Sequence, residues 1–135
     1  MEPRFLLDTN TIIYIRRQIP LRVRDTFSKL QHGEAIVSVI TYGELMYRVS
    51  KSSRKEAAVA TLVEMMQILP LTPLPGAAGA IYGEIRTELE SKGKIIGNND
   101  LWIAAHALAA GLILVTNNER EFRQVKGLKI QNWVA

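Results

Sequence analysis

The sequence contains no cysteine, and this absence excludes three kinds of chemistry. A disulfide framework, a zinc–thiolate site and a catalytic thiol all require cysteine. Long apolar runs are missing as well. No run approaches the roughly 20 residues that span a bilayer, and the first eight residues lack the apolar stretch of a signal peptide. We therefore expect a cytoplasmic protein with no membrane association.

The length and composition are those of an ordinary globular protein. The 135 residues predict a single domain over 1–135, and they are enough to close a hydrophobic core. Hydrophobic residues make up 47% of the chain and charged residues 22%. The net charge of +4 weakly favours a polyanionic partner such as nucleic acid.

Short apolar runs alternate with segments of helical periodicity along the whole chain. This alternation predicts an α/β fold: a three-layer α/β/α sandwich with a central, mainly parallel sheet. The predicted strands are Phe5–Leu7, Ala35–Val39, Ile68–Leu71, Leu112–Val115 and Leu128–Ile130. The predicted helices are Thr11–Arg17, Val23–Leu30, Thr41–Ser50 with Thr41 as its cap, Glu56–Met66, Pro75–Ser91, Asn99–Ala110 and Asn118–Val125.

Acidic residues stand at the ends of these elements. Asp8 directly follows the first strand, Glu44 lies early in the helix after the second strand, and Asp100 opens the most apolar helix of the chain. Each is also a plausible helix cap or a charge that favours the helix dipole. In parallel sheets, however, ligands bind beyond the carboxyl ends of the strands, where such residues can converge.

A further set of oxygen-bearing side chains, Thr116 to Glu121, follows the strand Leu112–Val115. Clustered carboxylates repel one another at neutral pH, and a divalent cation removes that repulsion. Oxygen ligands without histidine or cysteine indicate a hard ion, magnesium or manganese. The sequence therefore predicts a metal site built from acids at the sheet edge.

Four segments resemble the PIN domain, and in particular the bacterial VapC toxins. They are Leu7–Asn10, Thr41–Leu45, Ile96–Ala107 and Leu114–Asn118, and the closing pairs Glu121-Phe122, Gly127-Leu128 and Asn132-Trp133 fit as well. The resemblance spans essentially the whole chain, and the third segment is its most specific part.

The resemblance implies an acidic catalytic site on Asp8, Glu44 and Asp100. Asp8 and Asp100 are expected to bind Mg²⁺ directly, with Mn²⁺ able to substitute. Glu44 is expected to act through a water molecule. Thr9 and Thr116 would then support the carboxylates from a second layer.

The fourth acidic position departs from the family pattern, because Asn118 stands where many members have Asp. Asn118 can still bind through its amide oxygen, and Glu119 and Glu121 lie close by. We take Glu121 as a fourth catalytic residue. The departure leaves open which of these residues completes the site and whether one metal ion or two are used.

The resemblance also implies a function. The expected reaction is hydrolysis of RNA, with transfer RNA as a candidate substrate, leaving 5′-phosphate and 3′-hydroxyl ends. A cognate VapB-type antitoxin would neutralise the toxin by laying its tail in the acidic groove, often with a basic side chain near the carboxylates. Two copies are expected to form a homodimer, with Tyr82 on the dimer face.

Other residues have more ordinary interpretations. His106 is expected to be a satisfied core histidine, and Trp102 and Trp133 core or interface residues. Two other functions stay open. One is an aspartate-nucleophile phosphatase, which normally needs an acid where Asn10 stands. The other is a non-catalytic PIN-fold module that binds nucleic acid.

Overall fold

Five short strands and seven helices alternate along residues 2–134, the part of the chain that the computed structural model describes. No helix in this range is long and apolar enough to cross a membrane. The strands are β1 (Phe5–Leu7), β2 (Ala35–Ser38), β3 (Leu71–Thr72), β4 (Ile113–Val115) and β5 (Ile130–Gln131). The helices are α1 (Thr9–Arg17), α2 (Leu21–Ser28), α3 (Val39–Lys51), α4 (Lys55–Ile68), α5 (Ala78–Ser91), α6 (Asn98–Ala110) and α7 (Glu119–Phe122).

The strands form one sheet in the order β3-β2-β1-β4-β5, and every pairing within residues 2–134 is parallel. β1 is central: Phe5 pairs with Ala35 of β2 on one side and with Ile113 of β4 on the other. The predicted α/β/α sandwich is therefore confirmed, and its sheet is parallel throughout the described residues.

The two faces of the sheet carry separate hydrophobic cores, because successive strand residues point to opposite sides. Leu6 and Leu114 pack with α5 and α6 on one face. Phe5, Leu7 and Val115 pack with α1, α3 and α4 on the other. Trp133 is buried in the second core, where its ring meets Phe5 edge-on at 5.4 Å, so its predicted core position is confirmed.

α6 is buried along most of its length, as its apolar sequence predicts. It ends at Gly111, which adopts the left-handed conformation (φ 66°) that favours glycine at a helix C-terminus. His106 is buried, and its Nδ1 lies 2.8 Å from Ser38 Oγ, which confirms the core prediction. Because Gly111 leads directly into β4, α6 runs antiparallel to the strands. Its first turn therefore lies at their carboxyl edge.

Two predicted boundaries are wrong for identifiable reasons. Ser38, not Thr41, caps α3: its backbone is extended and its Oγ accepts a hydrogen bond from Ile40 N at 3.1 Å. The segment predicted as a strand from Ile68 instead continues α4, where Leu69 N still donates to Met65 O at 2.9 Å. β3 begins only after Pro70, at Leu71.

Candidate active site

The sheet order creates a crevice beside the central strand. From β1 the chain continues to β2 on one side, and it later returns to place β4 on the other side. Ligands of parallel α/β sheets bind at such reversals, beyond the carboxyl ends of the strands. Asp8 follows β1 and Thr116 follows β4, so both lie at this crevice.

Asp8 is the most firmly fixed of the acids. It is buried, it is the N-cap of α1, and its Oδ1 accepts a hydrogen bond from Thr11 N at 2.9 Å. Its backbone N donates to Val115 O at 3.0 Å, which ties it to β4. The cap function predicted from the sequence is therefore real, and it leaves the second carboxylate oxygen available for a ligand.

Glu44 is held in the second turn of α3 by a neighbour of Asp8. Thr9 Oγ1 donates to Glu44 Oε1 at 3.1 Å, so the two elements that follow β1 and β2 are joined at the site. Thr41 lies one turn earlier on the same face of α3. Its buried Oγ1 is the one such side-chain atom within residues 2–134 that has no hydrogen-bond partner.

Asp100 lies in the first turn of α6, where it contacts Glu121. The pKa of Asp100 is raised to about 7, first by burial and then by its hydrogen bond with Glu121. The negative charges of Glu121, Glu44 and Asp8 raise it further. All four acids predicted from the sequence therefore interact electrostatically at one place.

Glu121 is anchored through both carboxylate oxygens. Its Oε1 accepts from Gly97 N at 3.1 Å, and its Oε2 accepts from Asn118 Nδ2 at 2.8 Å. Burial pushes its pKa upward, but the hydrogen bonds that it accepts, from Asp100 first, outweigh burial and lower the pKa. Asp100 and Glu121 thus form a hydrogen-bonded pair in which the pKa of Asp100 is raised and that of Glu121 is lowered.

Glu119 is directed elsewhere, because its carboxylate contacts Arg123 at 2.9 Å and Asn132 at 3.0 Å. Of the three residues that the sequence offered to complete the site, Glu121 is the one bonded to Asp100. Asn118 instead donates a hydrogen bond to Glu121. The assignment of catalytic and metal-binding roles to Asp8, Glu44, Asp100 and Glu121 stays a prediction.

The donor set fits a hard divalent cation. It consists of carboxylate oxygens, and the negative charges of Glu121, Glu44 and Asp8 add to burial in raising the pKa of Asp100, a repulsion that a cation would relieve. Within residues 2–134, no three acidic or histidine side chains stand close enough to hold an ion as they are.

A second surface lies on the opposite face of the sheet from α6. A cavity of about 370 Å³ opens between α1, α3 and α4. We call it the arginine groove, since its apolar floor is bordered by basic side chains. Its lining includes Ile12, Leu45, Leu62 and Met65, together with Arg16, Arg17, Arg48 and Arg54.

Comparison with known proteins identifies the family. The profile described as "PIN domain" matches residues 5–128. Ribonuclease VapC2 of Haemophilus influenzae is 40% identical over 131 residues, covering 97% of this chain and 98% of the relative. The tRNA(fMet)-specific endonuclease VapC of Shigella flexneri is 38% identical over 130 residues, covering 96% and 98%.

A solved structure agrees with the sequence relatives. VapBC2 of Rickettsia felis, crystallised bound to a DNA fragment from its promoter, superposes with a TM-score of 0.89 at 39% identity. The match covers 98% of this chain and 99% of the other. The arrangement of the acids, the sheet order and these full-length matches agree, and the chain belongs to the PIN-domain family, among its VapC ribonucleases.

Proposed function

We propose that this protein is a magnesium-dependent endoribonuclease and the toxin of a VapBC-type toxin–antitoxin pair. The observation that carries the proposal is the convergence of four acids at the carboxyl edge of the sheet, in a chain 40% identical to a ribonuclease over almost its whole length. RNA cleavage itself follows from that relationship, whereas the metal requirement rests on the chemistry of the acids. The relationship gives no support to the phosphatase alternative.

The chain's own residues prepare the site for a phosphodiester. Asp8 and Asp100 would be the direct ligands of Mg²⁺ or Mn²⁺, and Glu44 would hold the attacking water after exchanging its bond to Thr9. A bound ion would orient that water and would neutralise charge on the phosphoryl oxygens. Glu121 keeps Asp100 at the edge of the site through Gly97. Asp100 must release its proton to bind the ion, so occupancy is favoured as the pH rises through about 7.

The proposed substrate is RNA, with transfer RNA as the first candidate. The Shigella flexneri relative is specific for tRNA(fMet), and we extend that target to this chain as a hypothesis. Hydrolysis would leave 5′-phosphate and 3′-hydroxyl ends. A substrate of this kind implies a cytoplasmic location.

The proposed inhibitor is a VapB-type antitoxin, as in the Rickettsia felis VapBC2 complex. Two surfaces suit such a partner. A basic side chain would complement the excess negative charge around Asp100, and an apolar segment with acidic flanks would fit the arginine groove. Pairing of two copies into a homodimer stays a prediction, which analytical ultracentrifugation would test.

The first experiment measures cleavage of a purified transfer RNA mixture in Mg²⁺. We expect discrete fragments from the wild type, and a loss of about a hundredfold or more in the Asp8→Asn and Asp100→Asn variants, the scale of removing one preorganised electrostatic group. Asp25→Asn is the control, because Asp25 is exposed on α2 and pairs with Arg24. Cleavage that survives chelator or either site variant would refute the mechanism. Correctly folded wild type that binds RNA without cutting it would support a non-catalytic module instead.

A second experiment tests the metal without measuring activity. Because the folded-state pKa of Asp100 is raised to about 7, this carboxyl keeps its proton in the folded protein and loses it in the unfolded chain between about pH 4 and 7. The stability that Asp100 contributes therefore falls as the pH rises through that window. In chelator at pH 8, Asp100→Asn should therefore melt above the wild type, with the gap closing towards pH 4. Added Mg²⁺ should raise the melting temperature of the wild type and not of the variant. Equal Mg²⁺ shifts in both proteins would contradict Asp100 as a ligand.

A further inference from the structure

The first turn of α6 carries Asp100 but has no side-chain cap of its own. Its N-cap is Gly97, which offers no side-chain acceptor to the free N–H groups of the turn. Such turns fray readily, and a frayed turn would displace Asp100. The position of Asp100 must therefore be fixed by contacts from other elements.

One of these contacts comes from α7, where Glu121 accepts from Gly97 N. The other comes from Tyr82 of α5, which is used in no step described above. The ring of Tyr82 stacks on Trp102 with centroids 3.9 Å apart and planes 13° apart. Its hydroxyl donates to Asn98 Oδ1.

The direction of the Tyr82 hydrogen bonds is determined by Arg86. Arg86 Nη1 lies 2.8 Å from the Tyr82 hydroxyl, and a guanidinium can only donate. The hydroxyl oxygen therefore accepts from Arg86, and its single proton is left for Asn98. Arg86 is held in turn by Glu90 of the same helix, with 3.2 Å between Arg86 Nε and Glu90 Oε2.

The two contacts of Tyr82 bracket the acid. Asn98 lies two residues before Asp100, and Trp102 lies two residues after it. The side chain of Tyr82 therefore contacts residues on both sides of Asp100. We propose that Tyr82 is a positioning residue for Asp100, acting through Asn98 and Trp102. This inference rests on the proposed function, since it gives Asp100 a ligand's role.

The test separates the hydroxyl from the ring. Tyr82→Phe keeps the stack on Trp102 and removes the hydroxyl, which donates to Asn98 and accepts from the exposed Arg86. We expect kcat for RNA cleavage to fall about three- to tenfold, the range of one net hydrogen bond, with KM unchanged. The affinity of the RNA-free protein for Mn²⁺, measured by electron paramagnetic resonance, should fall by a similar factor.

Further variants test whether Tyr82 acts through Asn98 and Trp102. Tyr47→Phe is the control, because Tyr47 is exposed on α3 and should change neither value. Trp102→Phe should preserve a stack and stay near wild type, whereas Trp102→Leu should weaken Mn²⁺ binding. Asn98→Ala should resemble Tyr82→Phe, and the double variant should be no worse than either single one, because both remove the same bond.

The outcomes distinguish this inference from the function on which it rests. If Tyr82→Phe binds Mn²⁺ and turns over RNA like the wild type while Asp100→Asn is inactive, the function stands and the positioning role is refuted. A lower melting temperature with unchanged Mn²⁺ affinity and unchanged kcat would show a merely structural tyrosine, which also overturns the inference. If Asp100→Asn loses neither Mn²⁺ binding nor cleavage, the proposed function itself fails.

Discussion

The two faces of the sheet are covered in opposite ways. On one face, α6 lies close to the strands because Ala104, Ala105 and Ala107 are fully buried and small, and α5 closes over it. On the other face, α3 and α4 leave the arginine groove open and expose apolar residues such as Tyr47 and Val63. The closed face holds Asp100 on a rigid element, whereas the open face is available to a partner.

This difference shows how one small domain can combine catalysis with control. A catalytic side chain must be held within a fraction of an ångström, and dense packing of a helix against a sheet provides that precision. A surface that receives another chain must instead retain unfilled apolar area. Substitutions on the two faces should therefore differ in their effects.

The largest effect is expected from a cavity on the closed face. Ile103→Ala, at a fully buried position of α6, should lower the free energy of unfolding by about 2–5 kcal/mol. Val63→Ala, at an exposed position of α4, should change it by less than about 0.5 kcal/mol. Urea unfolding of the two variants measures the contrast, and similar losses in both would mean that the faces do not differ in packing.

A smaller effect is expected from filling the arginine groove. Ala57 is exposed and lines the groove, so Ala57→Trp should occupy it without disturbing the core. RNA cleavage should persist, while inhibition by the cognate antitoxin should weaken by at least about tenfold, or about 1.4 kcal/mol. Ala60→Trp is the control, because Ala60 is exposed on the same helix outside the groove. Equal inhibition of both variants would show that the antitoxin binds elsewhere.

A pH dependence is expected from the histidine of the closed face. Burial lowers the pKa of His106, so the unfolded chain takes up a proton that the folded protein refuses. The stability that comes from neutral His106 is present above its unfolded pKa of about 6.5 and is lost as the pH falls below it, at up to about 1.4 kcal/mol per pH unit. In denaturant unfolding between pH 8 and 5, the free energy of unfolding of the wild type should fall relative to that of His106→Asn as the pH is lowered. Parallel slopes would contradict this assignment.

The smallest effect is expected at Thr41, whose buried hydroxyl has no partner within residues 2–134. Thr41→Val keeps the shape of the side chain and removes the unsatisfied group, so the melting temperature should stay the same or rise slightly. Calorimetry with a parallel cleavage assay tests this. A clear loss of stability would indicate that a buried water molecule is hydrogen-bonded to the Thr41 hydroxyl in the wild type.

Much of this architecture is predictable from the sequence because the signals are local. A short apolar run followed by Asp8, and an apolar helix ended by Gly111, need no knowledge of distant residues. The strand-end rule then brings Asp8, Glu44 and Asp100 to one edge. The start of α3 was mispredicted because Ser38 and Thr41 are both good caps, and only the backbone angles decide between them.

What the sequence left open depends on contacts between distant elements. Glu119 and Glu121 are two residues apart on α7, so they point in different directions and only one can meet Asp100. Of the two partners that draw Glu119 away, Arg123 is a local i,i+4 neighbour, whereas Asn132 becomes apparent only once the last strand is in place. Tyr82 lies 16 residues from Asn98, and no short-range pattern predicts that contact.

The central position of β1 also determines when the site can exist during synthesis. Asp8 and β1 are made well before Asp100 and β4. A nascent chain that still lacks β4 has Asp8 and Glu44 without the strand that completes the crevice. Since chains fold as they leave the ribosome, a nuclease with this strand order cannot assemble its site until β4 has been made.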